Sequence, residues 1–122
     1  MDMKVSEGGD GLTSVALDGR FDIAGAQQVD AEFSAVAERA TTLIVDLSNV
    51  PFIASLGVRT LMMGAKSLIR RGGDMAVCGA NESVEKVLRV TGLNEVAGLY
   101  PDYAAAADAL KSRAAEFASR KA

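Results

Sequence analysis

Histidine is absent from the 122 residues of this sequence. Its absence excludes a Ser–His–Asp triad, a histidine general base and most zinc sites, because each of these depends on an imidazole side chain. A serine nucleophile would need a lysine or a carboxylate as its base instead. A hydrolytic enzyme is therefore the least favoured function class, and we predict no metal site and no cofactor.

Cysteine and long apolar runs are also scarce. The single cysteine, Cys78, cannot form an internal disulfide and lies in an apolar, strand-like run, which suits a reducing cytoplasm. No apolar run approaches the roughly 20 residues that span a bilayer, and residues 1–4 lack the apolar region of a signal peptide. The net charge of −3, without a dense stretch of lysine and arginine, argues against nucleic acid. We expect a cytoplasmic protein with no membrane or nucleic-acid partner.

The first part of the chain predicts a strand hairpin followed by a strand–helix–strand unit. Residues 3–7 and 12–17 alternate in the manner of strands, and the glycine-rich residues between them are typical of a turn. Asp22 is suited to cap the helix that follows, and the apolar run 42–46 is typical of a buried strand. A strand, a helix and another strand in succession predict a parallel strand pair.

The second predicted helix covers residues 56–71 and ends at Gly72-Gly73, a common C-terminal signal. Helical periodicity places six apolar residues on its inward face: Val58, Leu61, Met62, Ala65, Leu68 and Ile69. The same periodicity places two apolar residues and three cations on the opposite side: Leu56, Met63, Arg59, Lys66 and Arg70. The two apolar residues are either isolated exposed side chains of an ordinary kind or the centre of a partner-binding face.

The last part of the chain predicts two more strands and two more helices. Residues 74–79 and 96–100 are the strands, Asn81 caps a short helix, and a final helix starts at Pro101-Asp102. The expected inward residues of these helices are Val84, Val87 and Leu88, then Tyr103, Ala106, Ala107, Leu110, Ala114 and Phe117. The chain is expected to fray from Ser119. No repeat or linker divides the sequence, so residues 1–122 predict one α/β domain of about five strands and four helices.

Ser55 lies where the polar turn after the strand at 43–45 becomes the second helix. Backbone N–H groups at a helix start lack partners and carry the positive end of the helix dipole, so a negative group is favoured there. A serine in this place either caps the helix or accepts a phosphate.

A series of motifs carries a family resemblance: Leu43-Ile44-Val45-Asp46-Leu47-Ser48, Phe52-Ile53, Gly57, Gly72-Gly73, Met75-Ala76-Val77-Cys78 and Thr91-Gly92-Leu93. In order and spacing they resemble the STAS domain, whose small stand-alone members are bacterial anti-sigma factor antagonists. The resemblance extends from Leu17-Asp18-Gly19 to the last helix. It implies a single STAS domain, in which a mixed sheet is wrapped by helices in a βα superhelix.

The resemblance also implies a role in partner switching. The unmodified protein would bind an anti-sigma factor that is also an ATP-binding serine kinase with a histidine-kinase-like fold. This kinase would phosphorylate a serine at the start of the second helix, and the complex would dissociate. A serine phosphatase would then restore the unmodified form.

This sequence departs from the family motif at its centre. The family commonly has Asp-Ser-Ser/Thr-Gly with the second hydroxyl phosphorylated, whereas this chain has Ala54-Ser55-Leu56-Gly57. Leu56 therefore stands at the usual phosphosite. Either the modification shifts to Ser55, or the protein is a non-switchable STAS module of a stressosome-like or lipid-transport assembly. Asp22 matches an acidic residue that lies near the phosphosite in the family.

The predicted site therefore combines one phosphorylation residue, Ser55, with a partner-binding surface. The partner-binding residues are Asp22, Ser55, Leu56, Gly57, Arg59, Thr60 and Met63. An enzyme with Ser55 as its nucleophile is the third hypothesis. It is disfavoured because the nearest basic residues, Arg59 and Lys66, lie farther along the helix.

Overall fold

The computed structural model describes residues 1–8 and 11–121, with side chains as far as Arg113. Its strands are β1 (Asp2–Glu7), β2 (Leu12–Asp18), β3 (Thr42–Asn49), β4 (Asp74–Cys78) and β5 (Gly98–Tyr100). Its helices are α1 (Ile23–Arg39), α2 (Ser55–Arg70), α3 (Glu82–Val90) and α4 (Tyr103–Lys121), with a 3₁₀ turn at Leu93–Glu95. The predicted α/β class, with five strands and four helices, is confirmed.

The five strands form one mixed sheet in the order β1-β2-β3-β4-β5. β1 and β2 form the predicted antiparallel hairpin, and β2 to β5 pair in parallel. Each parallel connection contains a helix, as parallel pairing requires. Consequently every helix begins near the carboxyl edge of the sheet, and the start of α2 shares this edge with the start of α1.

Helices cover both faces of the sheet. On one face, α1, α2 and α3 enclose the larger core, to which β3 contributes Leu43, Val45 and Leu47. On the other face, α4 packs on Ile44 and on residues of β4, forming a smaller cluster through Ala106, Ala107 and Leu110. Neighbouring residues of β3 enter different clusters because successive strand side chains point to opposite faces. The larger cluster holds α2 on the sheet and leaves the outer side of the helix in solvent.

The buried face of α2 is rotated relative to the prediction. The buried residues are Gly57, Val58, Thr60, Leu61, Gly64, Ala65 and Leu68. Ile69, predicted to be inward, is 48% exposed, and Leu56, predicted to be outward, is half-buried. The rotation arises because α2 packs against α1 as well as the sheet: a Cβ on Gly64 would lie 2.6 Å from Cε1 of Phe33 in α1. Small residues therefore form a second contact face that hydropathy does not reveal.

Four smaller expectations are corrected or fall outside the described side chains. The last strand begins at Gly98 rather than at residue 96, because residues 93–95 form the 3₁₀ turn. Tyr103 is 45% exposed rather than inward, because it begins α4 beyond the end of the sheet. The side chains of Ala114 and Phe117 lie outside the described part. The predicted fraying from Ser119 lies in this same C-terminal segment and remains a prediction.

Candidate functional site

The loops after β2 and β3 are joined to each other beside the start of α2. The amide of Phe21 donates to the carbonyl of Phe52 across 2.9 Å, and the amide of Ala54 donates to the carbonyl of Phe21 across 2.8 Å. Phe21 and Ile53 form an isolated parallel bridge between the same two loops. The aromatic ring of Phe21 is fully buried and anchors both loops in the larger core. This pairing fixes where Ser55 emerges from the sheet edge.

Ser55 is the first residue of α2 rather than its cap, so the capping interpretation of this serine is wrong. The N-cap is Ala54, with extended dihedrals of φ −102° and ψ 171°, and no side chain accepts a hydrogen bond from the first turn. A capping side chain must belong to the non-helical residue that precedes the first turn, and Ser55 is already helical. Its hydroxyl is instead exposed at the positive end of the helix.

The start of α2 differs from the starts of the other helices. Asp22 Oδ1 accepts from the amide of Gly25 in α1, Asn81 Oδ1 from Val84 in α3, and Asp102 Oδ1 from Ala105 in α4. Within the described part of the chain, α2 alone begins without such a cap, and its first turn has no acidic residue. Its N-terminal amides therefore carry the least compensated positive potential of the four helices.

Asp22 has a structural role close to Ser55. Its carboxylate caps α1 at 2.8 Å from the Gly25 amide, and Arg20 Nε lies 3.8 Å from its other oxygen. Asp22 also directly follows Phe21, whose carbonyl is bonded to the residue before Ser55. The structure thus places a partly exposed carboxylate next to Phe21, the residue that is bonded to the loop carrying Ser55.

Arg20 and Phe52, which are not among the predicted contact residues, lie at the edge of this site. The guanidinium of Arg20 lies over the ring of Phe52, with Cζ 4.5 Å from the ring centroid, and Phe52 is 41% exposed. A cation–π contact of this kind joins the two loops on the solvent side, opposite the buried Phe21. No periodic pattern marks either residue, because both lie in loops.

Two residues predicted to contact a partner are buried on the inner side of α2. A Cβ on Gly57 would lie 2.9 Å from Cγ of Phe21, so this glycine allows the helix start to approach the loop. The side chain of Thr60 is 6% exposed, and its hydroxyl lies 3.2 Å from Asp30 Oδ1 in α1. Direct partner contact through Gly57 or Thr60 is therefore corrected to a positioning role. Gly57 lets the start of α2 lie against the loop of Phe21, and Thr60 holds α2 against α1.

Apart from Ser55, the other predicted contact residues on α2 border an open groove of about 340 Å³ between α1 and α2. Met63 is 58% exposed and Arg59 is exposed, while half-buried Leu56 lines the groove. Ala26, Gln27 and Asp30 of α1 complete the walls, with Thr60 beside them. The groove combines apolar surface with one carboxylate and one guanidinium, a composition suited to a protein segment.

Chemistry based on a thiol or a metal finds no support in the described residues. Burial, followed by the nearby charges of Asp46 and Asp102, raises the pKa of the Cys78 thiol to about 12. The thiol is therefore neutral at physiological pH and behaves as a small apolar side chain.

No group of three or more Cys, Asp or Glu side chains in the described ranges could hold a metal ion. Nor does any helix there have the length and apolar character needed to cross a membrane.

The family model of the STAS domain matches residues 3–106 of this chain. The chain belongs to the STAS family. The match covers the whole sheet, α1, α2 and α3, and ends within α4. The joined loops, the uncapped start of α2 and the groove beside it are therefore all parts of the STAS domain itself.

Some relatives of this STAS domain are named as anti-sigma factor antagonists, and others are STAS domains of transporters. A protein of Bordetella bronchiseptica named as an anti-sigma factor antagonist, BtrV, is 29% identical over 104 residues, or 84% of this chain and 90% of that one. The crystal structure of an anti-sigma factor antagonist from Mycobacterium paratuberculosis has a TM-score of 0.80 and 27% identity, covering 90% of this chain and 93% of the other. The STAS domain of a SulP transporter from Vibrio cholerae has a TM-score of 0.61 and 29% identity, covering 85% and 81%.

Proposed function

We propose that this STAS domain is an anti-sigma factor antagonist whose affinity for its partner is switched by phosphorylation of Ser55. The single observation that carries the proposal is the start of α2, where an exposed serine occupies a helix terminus that no side chain caps. The names of the Bordetella and Mycobacterium relatives support the antagonist role. The proposal includes a cytoplasmic location and no catalytic activity of the domain itself.

The chemistry of the switch is a phosphoryl transfer performed by the partner. The partner is an anti-sigma factor with a histidine-kinase-like fold that binds ATP. The Oγ of Ser55 forms a bond to the γ-phosphorus of ATP, the bond to the β-phosphate oxygen breaks, and the hydroxyl proton goes to a base of the kinase. ADP leaves. A serine phosphatase returns the domain to its unmodified form by transferring the phosphoryl group to water.

The unmodified domain binds through the surface that surrounds Ser55. Arg59 and Met63 lie one and two turns farther along α2 on its solvent side, and Leu56 lines the adjoining groove. Methionine and arginine are enriched at protein interfaces, and arginine is among the residues that carry most binding energy there. The partner therefore gains apolar contact with Met63 and Leu56, and Ser55 lies at the edge of the contact.

A phosphate on Ser55 would weaken this contact without unfolding the domain. It adds about −1.5 to −2 charges and three acceptor oxygens. The free amides at the start of α2 stabilise part of that charge. A docked partner would have to desolvate the dianion, which costs several kcal/mol.

Incubation with the cognate kinase and ATP tests the proposal directly. Intact-mass measurement and peptide mapping should find one phosphate, located on Ser55, and the Ser55→Ala variant should remain unmodified. Thr60 serves as an internal comparison, because its hydroxyl is buried and bonded to Asp30. Phosphate on Thr60, or none on the domain, would contradict the proposal.

One observation favours a second candidate, a non-switchable STAS interaction module of a stressosome-like or lipid-transport assembly. The position that carries the phosphorylated hydroxyl in the family motif is Leu56, which is half-buried here and lines the groove. In this case the domain would bind its partner equally well with and without ATP. The SulP transporter relative is consistent with STAS domains serving in assemblies of another kind.

A further inference from the structure

All the charged residues of α2 are cationic. Its 16 residues include no Asp or Glu, although the whole chain carries a net charge of −3. Arg59, Lys66 and Arg70 are exposed on this helix. None of the ion pairs found within residues 1–8 and 11–113 involves any of the three. These cations are therefore available to carboxylates of another molecule.

A shallow groove lies along the C-terminal half of α2, beside Val96 at the end of the 3₁₀ turn. We call it the Ile69 groove. It has a volume of about 440 Å³ and is lined by Met63, Lys66, Ile69, Arg70 and Val96. Ile69 is 48% exposed at its centre, and Lys66 and Arg70 are four residues apart on the same helix face. An exposed isoleucine with Lys66 about one turn before it and Arg70 directly after it forms a small apolar surface with a positive rim.

We propose that the Ile69 groove binds an amphipathic helix of a partner protein whose apolar residues are flanked by Asp and Glu. Apolar residues spaced at i, i+3 and i+7 would contact Ile69 and Val96, as in other complexes with a helix bound in a groove. Carboxylates beside them would pair with Lys66 and Arg70, which supply orientation and faster association. The inference goes beyond the switch at Ser55, because it assigns a second contact surface and the chemistry of what binds there.

A second copy of this chain fits the Ile69 groove poorly. A symmetric dimer would bring α2 against its own copy and place the Lys66 and Arg70 cations of both chains together. Like charges across an interface destabilise it, and α2 has no carboxylate to compensate them. The charge on this surface therefore favours an acidic partner over self-association.

The Ile69 groove is also too far from Ser55 to follow its phosphorylation. Ile69 lies 14 residues after Ser55 in one continuous helix, which at about 1.5 Å per residue is roughly 21 Å. Charges in solvent are screened within about 8 Å at physiological ionic strength. The charge of a phosphate on Ser55 therefore does not reach this groove.

A designed helical peptide with a leucine stripe flanked by glutamates tests the proposal, with a glutamine version of the same peptide as its control. Added to isotope-labelled domain, the glutamate peptide should shift the amide resonances of Lys66, Ile69, Arg70 and Val96. The glutamine peptide should bind at least about tenfold more weakly, the difference expected when charge pairing is lost. Lys66→Glu with Arg70→Glu should abolish the preference for the glutamate peptide, and Ile69→Glu should weaken both peptides.

Matched variants and a vesicle probe make the outcome decisive. Val90→Glu alters an apolar residue that is 79% exposed on α3, and Lys4→Glu reverses an exposed charge on β1, so neither should change peptide binding. Ser55→Asp should leave the peptide affinity within about twofold, because its charge is screened at this distance. The proposal is overturned if both peptides bind equally, if neither binds, or if the shifts lie elsewhere. Binding of phosphatidylserine vesicles without peptide binding would identify a membrane surface instead and would equally overturn it.

Discussion

The hydroxyl of Thr60 on α2 donates a hydrogen bond across 3.2 Å to Oδ1 of Asp30 on α1. The same hydroxyl lies 3.1 Å from the carbonyl oxygen of Leu56, one turn earlier in α2. It has a single proton, so it serves one of the two acceptors at a time. The contact helps to set the rotation of α2 about its axis, and this rotation determines that Met63 faces solvent.

The substitution Thr60→Val should cost about 0.5–1.5 kcal/mol of unfolding free energy, the typical net contribution of one hydrogen bond. Valine retains the volume of the buried side chain, and Asp30 is exposed and can be solvated, so no larger penalty is expected. Urea unfolding followed by circular dichroism measures the change. Thr91→Val removes a hydroxyl that bonds only within α3, to Val87 and Leu88, and provides the comparison. An unchanged midpoint for Thr60→Val would show that the contact between the helices adds nothing.

Much of the fold could be predicted because its determinants are local in the sequence. Asp22 and Asn81 cap the helices they were expected to cap, since each is a short polar residue before an amphipathic segment. The apolar run at 43–45 is fully buried, since only strands covered on both faces tolerate such continuous hydrophobicity.

The packing of α2 against α1 could not be predicted in the same way. Gly57 and Gly64 carry no side chain, so they add nothing to a hydrophobic periodicity, yet each permits a close approach to a phenylalanine. Thr60 is polar and is nevertheless buried, because Asp30 on α1 accepts a hydrogen bond from its hydroxyl. Ser55 was correctly placed at the helix start, but only backbone dihedrals show that Ala54 occupies the cap position.

Cys78 should be unreactive in the folded protein. Burial raises the pKa of its thiol to about 12, so at pH 8 almost no thiolate is present and the sulfur is covered. A chromogenic disulfide reagent should react slowly in buffer and rapidly in urea. Rapid reaction in buffer would contradict the buried placement of this strand.

The same raised pKa predicts how stability depends on pH. In the unfolded chain the thiol ionises near pH 8.5, whereas in the folded chain it stays protonated up to about pH 12. The unfolded state therefore binds fewer protons between these values, and stability falls as pH rises through this window. Comparison with Cys78→Ala, which has no thiol to ionise, isolates this contribution in urea titrations at pH 8, 9 and 10.

The partner face on α2 predicts opposite effects for two nearby residues. Met63 is 58% exposed, so Met63→Glu should change stability by less than about 0.5 kcal/mol, yet weaken kinase binding by about tenfold or more. Leu61 is fully buried, so Leu61→Ala should cost roughly 2–5 kcal/mol of unfolding free energy. Calorimetry and urea unfolding provide the two measurements. Val90→Glu is the matched control for an acidic substitution at an exposed apolar site. If Met63→Glu unfolds the domain, this side of α2 is packed against other residues and is not exposed to solvent.

Two substitutions of Ser55 should have opposite effects on kinase binding and leave the stability of the domain equal. Ser55→Ala removes the acceptor of the phosphate and should bind the kinase persistently, with ATP as well as without it. Ser55→Asp places a carboxylate at the uncapped positive end of α2, where the helix dipole tolerates it, so the domain should remain folded. Its charge should nonetheless weaken kinase binding at least about tenfold, because the partner must desolvate it.

The control variant Ser83→Asp adds the same charge to an exposed residue in the first turn of α3, and it should bind the kinase like the unmodified domain. Equal affinities for Ser55→Ala and Ser55→Asp, with ATP making no difference to either, would favour the non-switchable module. The serine would then be an ordinary first residue of the helix.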